Sequence, residues 1–395
     1  MNDSDNLVAR VKAATAHSSV SFAELLQSLN GADPAAVAVA LASSGCTVTW
    51  ERAVPRAMVL DTRLPVPHPL DYDWRFSRQT VEYLAAELSE VGGAVALLGT
   101  PSLFLHLAVE RAIGDRPWLL DRNVALRHTL PREVLDRILV TDIASDGVPK
   151  LEARALVVDP PWYPQATKAF LWAARECSVP GAHVLVSTAP VGTRETVSEE
   201  RADLLQWAES VGLVLVEQRP GALTYDMPPF ERNALRALAI LDFVPEAWRK
   251  GDLLIFERLR EPEVAVRPTS EPSQNGWVER VFDRVRVRID VSGPDESADP
   301  ALLSLVPGDV LPTVSRRDPR RAAVRVWTSG NRVFGCRAPS LLLQALDSLP
   351  PASLTSAETA AKGAIEALVV MERGEYTRSE DEHAVVDRCR RSLET

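Results

Sequence analysis

Apolar positions recur along this chain with two different periods, and the places where one gives way to the other divide it into parts. Val8 and Val11, then Phe22, Leu25, Leu26 and Leu29, follow helical spacing. Gly31-Ala32-Asp33-Pro34 interrupts the run, with Asp33 placed to cap a further apolar helix to Leu41 and Pro34 to open it. Cys46 to Trp50 reads as a short strand. This order predicts a small winged-helix-like module over residues 1–62. A DNA-reading version would carry basic side chains on its second helix, and residues 33–41 hold no Lys or Arg, so packing or homodimerisation is the expected role.

Pro65-Val66-Pro67-His68-Pro69 cannot continue a helix and predicts an extended connector, followed by a lead-in helix from Ser77 to Glu90, the two spanning residues 63–90. Asp71-Tyr72-Asp73-Trp74-Arg75-Phe76 lies between them and is expected to staple connector to core. Over residues 91–260 the period changes to short, continuous apolar runs starting at Ala94, Trp118, Ile138, Ala155, His183, Leu213 and Leu253, separated by helical stretches such as Thr167 to Cys177 and Glu199 to Val211. Apolar strands alternating with helices predict a doubly wound α/β domain whose mostly parallel sheet is covered on both faces. Ligands in such sheets bind beyond the carboxyl ends of the strands. After a Pro- and Ser-rich linker to Gly276, residues 277–395 read as a C-terminal α+β domain: β-like Arg284 to Ile289, a hairpin turn at Thr328 to Asn331, and a helical tail from Ser353 to Leu393.

The length of 395 residues fits two or three domains of roughly 100–200 residues each. No stretch approaches the ~20 apolar residues of a membrane span, and the acidic start, Met1 to Asp5, leads into no apolar region of a secretory signal, so a cytoplasmic protein without membrane contact is expected. Cys46, Cys177, Cys336 and Cys389 are far apart, which argues against a disulfide framework or a structural metal. With 44 Lys plus Arg against 54 Asp plus Glu, the net charge of −10 argues against binding nucleic acid by bulk charge. One segment departs from this: Arg316 to Arg337 carries seven arginines against the single Asp318. Arg325 and Trp327 in it are candidates for contacts to single-stranded nucleic acid, although alternating arginines on a strand fit a solvated sheet face slightly better.

Asp159-Pro160-Pro161-Trp162-Tyr163, directly after the run Ala155 to Val158, carries the most specific chemistry. Two prolines end the strand and leave backbone carbonyls that no following helix consumes. A carboxylate and such carbonyls accept hydrogen bonds from an amino group, while the rings beside them stack on a planar base. A second proline-fixed loop, Tyr225 to Asn233, makes Tyr225, Phe230 and Glu231 candidates for the acceptor side, on even terms with a tight turn around a core aromatic. His106 and His183 lie in apolar stretches and are expected to be core histidines.

In this setting the segment at Asp159 resembles motif IV of the amino-methyltransferases, and its D-P-P-W form resembles the adenosine N6-methyltransferases. The resemblance covers about residues 90–260 and implies a class I, Rossmann-like S-adenosylmethionine fold. It implies that Gly99, Thr100 and Ser102 in the turn after the first strand, Asp121 after the second and Asp142 after the third hold the cofactor, while Asp159, Pro160, Pro161, Trp162 and Tyr163 present the acceptor amine. Two features depart from the family. Motif I keeps only Gly99, followed by Pro101, and the glycine turn precedes D-P-P-W, the reverse of the messenger-RNA adenosine methyltransferases. The order of parts, with Asp71 to Thr80 and the N-terminal module, is also similar to the branched-chain polyamine synthases, whose acidic first turn would hold a polycation; Thr100-Pro101-Ser102 stands there instead. The combined expectation is a methyltransferase acting on an exocyclic amine, adenine-N6 in nucleic acid first, with an aminopropyltransferase or a degenerate scaffold serving as an assembly partner as the alternatives.

Overall fold

The computed structural model describes residues 3–16, 20–29, 31–49, 60–111, 117–194, 196–238, 248–259, 267–268, 276–348 and 353–377. The chain starts with three helices, α1 (Asp3–Thr15), α2 (Phe22–Ser28) and α3 (Pro34–Ser44). Ser21 and Glu24 form a reciprocal capping box at α2. Asp33 caps α3 from the Ala36 N–H at 3.1 Å, with Pro34 in the first turn and Gly45 in the left-handed conformation closing it, as the sequence predicts. Val11, Leu25 and Val37 are fully buried between the helices and pack with Met227, Leu235 and Trp248 of the next domain. The expected strand at Cys46 is reduced to a single bridge between Ser21 and Thr49, and residues 50–59, where a wing would fall, lie outside the described residues.

All seven apolar runs become strands of one sheet. Helix α4 (Arg78–Val91) leads into β1 (Val95–Leu98), α5 (Pro101–Leu105), β2 (Trp118–Asp121), α6 (Leu126–Thr129), β3 (Ile138–Val140) and β4 (Ala153–Val158). There follow α7 (Pro164–Cys177), β5 (Ser178–Thr188), α8 (Val197–Ser210), β6 (Leu213–Tyr225), α9 (Pro229–Ala237) and β7 (Arg249–Arg258). The strand order is β3-β2-β1-β4-β5-β7-β6, parallel except for β7, which runs antiparallel to both neighbours. Alternation across the pleat explains the near-continuous apolar runs. Leu97 and Val157 enter the layer formed with Leu84 of α4 and Leu103 of α5, while Leu98 and Val158 enter the opposite layer with Leu171 of α7 and Leu204 of α8. The loop expected after Tyr225 is in fact α9 from Pro229 onward, since a proline in the first turn opens a helix as readily as it fixes a loop.

The C-terminal part is a five-stranded antiparallel sheet, β8 (Trp277–Phe282), β9 (Val285–Asp290), β10 (Leu302–Ser304), β11 (Val326–Thr328) and β12 (Val333–Cys336), in the order β10-β12-β11-β9-β8, with α10 (Pro339–Asp347) and α11 (Ser356–Thr377). The hairpin at Thr328 to Asn331 forms as predicted. The solvated arginine face does not. Arg286 is 1% exposed on its side chain, 2.7 Å from Asp71 and 2.8 Å from Glu279, and Arg288 reaches the same two carboxylates at 2.8 Å each. The alternating arginines of β9 therefore bind the connector instead of facing water. Residues 378–393 of the expected helical tail lie outside the described residues. Among the described residues, no helix is long and apolar enough to cross a membrane.

Candidate functional site

A cavity of about 370 Å³ opens at the carboxyl ends of β1 to β4. Gly99, at the end of β1, adopts φ +70°, and a Cβ there would lie 3.0 Å from the Asp159 carbonyl and 3.3 Å from the Phe170 ring. Only glycine lets β1 and β4 close together at this point. Asp121 ends β2, and its Oδ1 accepts from the Asn123 N–H at 2.8 Å. Burial pushes the Asp121 carboxyl up to about 7 against that bond. Asp142, after β3, caps its own turn through the Ala144 N–H at 3.1 Å. Gly99, Asp121 and Asp142 all line the cavity. Thr100 and Ser102 do not: both hydroxyls are buried and, among the described residues, have no hydrogen-bond partner, so the helix that starts at Pro101 turns them away from the site where they were expected.

Asp159, Pro160, Pro161, Trp162 and Tyr163 are brought together in the cavity wall. A hydrogen-bond relay that ends on Asp159 fixes this segment. The Trp162 Nε1–H donates to Ser187 Oγ at 3.2 Å, Ser187 bonds the Tyr225 hydroxyl, and that hydroxyl donates to Asp159 Oδ1 at 2.7 Å. An indole N–H only donates and Tyr225 donates to Asp159, which leaves Ser187 as the donor to Tyr225. The Trp162 and Tyr225 rings meet edge to face at 5.6 Å. Gly251 on β7 makes room for this cluster, since a Cβ there would lie 3.2 Å from the Ser187 hydroxyl and from both rings. Burial raises the Asp159 carboxyl to about 7, with the bond from Tyr225 the largest opposing influence. The Trp162 carbonyl is held by Arg194 Nη2 at 2.9 Å, and Arg194 is paired in turn with Glu200.

Of the remaining candidates only Tyr225 reaches the cavity. Phe230 is fully buried in α9, edge to face with Trp74 at 5.2 Å, and Glu231 is spent on Arg249 and the Trp248 indole. Trp327 is 1% exposed, its Nε1–H held by Asn331 at 3.0 Å, so it cannot stack on a base. Arg325 pairs with Asp290, Arg320 with Asp318 and Arg332 with Glu372, while Arg321 stacks on Trp327 at 4.5 Å. Most of the basic segment is thus engaged inside the chain. His106 bonds Glu110 at 2.8 Å outside the cavity.

Sequence reasoning missed the walls. The connector residues Asp71 to Trp74 line the cavity, with Tyr72 in the left-handed conformation at φ 56°. Asp71 holds Arg286 and Arg288, and Asp73 holds Arg75 at 2.9 Å. Although burial alone would raise the Asp71 carboxyl, Arg288, Arg286 and Arg122 hold it well below the usual carboxylate range. From the C-terminal domain, Val314 to Arg317 form a roof, with the Arg316 guanidinium 4.8 Å from the centre of the Tyr163 ring and 5.8 Å from that of Tyr72. Thr313 bonds Asp33, so the N-terminal module and the roof meet at the cavity edge. The alternation of acids and aromatics in Asp71-Tyr72-Asp73-Trp74, beside a sheet end, was the one available signal.

No protein-family profile matches the chain, and no curated protein matches it. Among solved structures it is similar to a variant of the branched-chain polyamine synthase from Thermus thermophilus in complex with N4-aminopropylspermidine and 5'-methylthioadenosine, at 18% identity and TM-score 0.50, covering 68% of this chain and 90% of that one. The corresponding synthase without those changes matches at 16% identity and TM-score 0.45, over 68% of this chain and 91% of that one. A putative RNA methyltransferase from Pyrococcus horikoshii matches at 16% identity and TM-score 0.31, over 45% of this chain and 80% of that one. At these identities what is shared is the Rossmann-like methyltransferase fold; in this chain the seventh strand is antiparallel and a separate antiparallel C-terminal sheet accompanies it.

Proposed function

We propose that the chain is an S-adenosylmethionine-dependent methyltransferase acting on an exocyclic amino group of the adenine-N6 type. One observation carries the reading: a buried carboxylate, Asp159, oriented by Tyr225 and flanked by Trp162 and Tyr163, sits in one cavity with the Gly99 turn and the Asp121 carboxyl. The cofactor fits these residues. A Cβ at position 99 would fill the cradle between β1 and β4, and Asp121 and Asp142 stand at adjacent strand ends where ribose hydroxyls and an adenine ring are received. S-adenosylmethionine, when bound, supplies an electrophilic methyl carbon. The chain's own work is placement: Asp159 and the Pro160 carbonyl accept from the amine N–H groups, the aromatic walls hold the ring, and the nitrogen lone pair is left facing the cofactor side. With a pKa of about 7, Asp159 is also suited to take the proton that the alkylated nitrogen releases.

A second reading, aminopropyl transfer, is favoured by the polyamine synthase likeness and by the aspartates around the cavity. Asp71 and Asp73 are already spent on arginines, and the first turn carries Thr100-Pro101-Ser102 in place of a row of acids for a polycation. Calorimetry with S-adenosylmethionine, S-adenosylhomocysteine and decarboxylated S-adenosylmethionine tests both. Tight binding of the first two, kept within a few-fold in Asp159→Ala while transfer is lost, is the expected result. Preference for the decarboxylated form overturns methyl transfer in favour of aminopropyl transfer, and binding of none of the three overturns both.

A further inference from the structure

The connector carries two hydrogen-bond donors that the chain itself leaves unused. The Tyr72 hydroxyl and the Trp74 indole N–H are both buried and, among the described residues, have no hydrogen-bond partner, and both residues line the cavity. Packing fixes both rings. Trp74 stands edge to face against Phe230 at 5.2 Å, with the Arg249 guanidinium carbon 5.2 Å from its own centre, and Tyr72 meets Tyr163 edge to face at 5.8 Å. An indole N–H only donates, and burial keeps the phenol protonated against the pull of Arg321 and Arg316, so both groups call for an acceptor atom. Asp73, between them, lies close to the transfer residues: beyond the burial that raises the Asp121 and Asp159 carboxyls, its charge adds to both rises.

The rest of the wall limits the size and charge of what these donors meet. Each arginine that lines the cavity is engaged: Arg122 with Asp71 and the Leu70 carbonyl, Arg194 with Glu200, Arg249 with Glu231, Arg317 within electrostatic reach of Glu200, and Arg316 over the Tyr163 and Tyr72 rings. That leaves no arginine of the wall for a phosphate backbone, whose binding rests on such cations. A protonated polyamine fails for the opposite reason, since its nitrogens only donate and would leave Tyr72 and Trp74 unsatisfied. The cavity, about 370 Å³, is at the small end of the ~300–1,000 Å³ of pockets that bury one small molecule, and Thr313 bonds Asp33 across its edge. We propose that the acceptor is a free, uncharged heteroaromatic amine of about nucleoside size, whose ring acceptor atoms receive the Tyr72 and Trp74 donors while its amino group faces Asp159. This rests on the transfer reading and narrows it: an aminopurine carries ring nitrogens on either side of its exocyclic amine, and the connector recognises them.

The full-length protein, saturated with S-adenosylhomocysteine, is titrated by calorimetry with adenosine, its 1-deaza and 7-deaza analogues, spermidine, and a single-stranded oligonucleotide carrying one adenosine. A neutral hydrogen bond is worth about two- to tenfold in affinity, so adenosine binds that much more tightly than at least one deaza analogue, and more tightly than spermidine or the oligonucleotide. Tyr72→Phe or Trp74→Phe, whichever donor faces the missing nitrogen, erases the difference. Tyr72→Phe also raises the melting temperature of the free protein, because it removes an unsatisfied buried hydroxyl; a fall means that water already serves that hydroxyl and overturns its role. Equal affinity for adenosine and both analogues, a difference that survives both variants, tighter binding of spermidine or of the oligonucleotide, or no binding of adenosine overturns the proposal. Loss of S-adenosylhomocysteine affinity in either variant assigns the donors to the cofactor and overturns the acceptor role. If S-adenosylhomocysteine does not bind while adenosine does and the variants erase its preference over an analogue, the subsite stands and the transfer reading falls.

Discussion

Tyr225→Phe removes one oxygen from the relay that ends on Asp159 and leaves the ring that packs on Trp162 and Phe76. The lost bond is a donor to a carboxylate, and such bonds are worth about 1.5–3 kcal/mol. At 1.36 kcal/mol per pKa unit that is roughly one to two units. A protonated carboxyl also bonds the hydroxyl, so about one unit is the expected rise. The Asp159 carboxyl, already raised to about 7 by burial, would move to about 8, because the ionised form loses its partner while the desolvation that penalises it remains. At pH 7 the ionised fraction would fall from about half to about a tenth, a loss of roughly fivefold in kcat/KM that is recovered near pH 9. A titration of carboxyl-labelled aspartate by NMR, with Asp159→Asn to assign the resonance, reads the shift without any acceptor, and a pH–rate profile reads its consequence. A resonance that titrates at the same pH in both proteins would refute the relay.

Asp159→Asn abolishes transfer but stabilises the protein above neutral pH. A folded pKa of about 7 against 3.8 unfolded means that stability falls as pH rises through that interval, with at most roughly 4 kcal/mol at stake. The melting temperature therefore rises at pH 8 and changes little near pH 4; an equal gain at both would count against a buried charge. Gly99→Ala forces a left-handed residue and a Cβ against the Asp159 carbonyl, at a cost of about 1–3 kcal/mol in urea denaturation together with weaker cofactor binding, and an unchanged midpoint would contradict the close approach. Arg286→Ala leaves Asp71 and Glu279 short of a partner in a buried network and should cost about 3–5 kcal/mol, measurable by the same denaturation.

What the sequence made legible follows from what it encodes locally. The central strands were readable because they bury both faces, and Gly99, Asp121, Asp142 and Asp159 were readable because a doubly wound sheet exposes its strand ends. Asp33 and Pro34 announced α3 through capping alone. Thr100 and Ser102 were misplaced because spacing gives no side-chain direction at the start of a helix. Trp327 and the arginines of β9 were misread for a different reason: charge alternation looks the same whether the far side is water or Asp71, and only the fold brings Asp71 within 2.7 Å of Arg286. Ser187 carried no local signal at all, since a serine ending a strand acquires its role only when β5 lies next to β4 and Tyr225 reaches across.

In the proposed transfer the residues at the strand ends and the residues of the roof would do different work, and this division bears on specificity. Asp121, Asp142 and the Gly99 turn can seat a cofactor on the sheet alone, and the Asp159 relay is closed within it by β4, β5 and β6. An acceptor of the proposed transfer would meet surfaces from elsewhere: the connector supplies Tyr72 and Trp74, the C-terminal domain supplies Arg316 and Arg317, and Gly31 and Asp33 of the N-terminal module complete the wall. His68 shows how tightly this shell is anchored. Buried at 0% exposure, it accepts from the Leu70 N–H at 3.1 Å through Nδ1 and donates through Nε2 to the Trp327 carbonyl at 3.2 Å, so connector and C-terminal sheet share one hydrogen-bonded seam. Changes in the roof should alter which amine is accepted before they alter whether the cofactor binds.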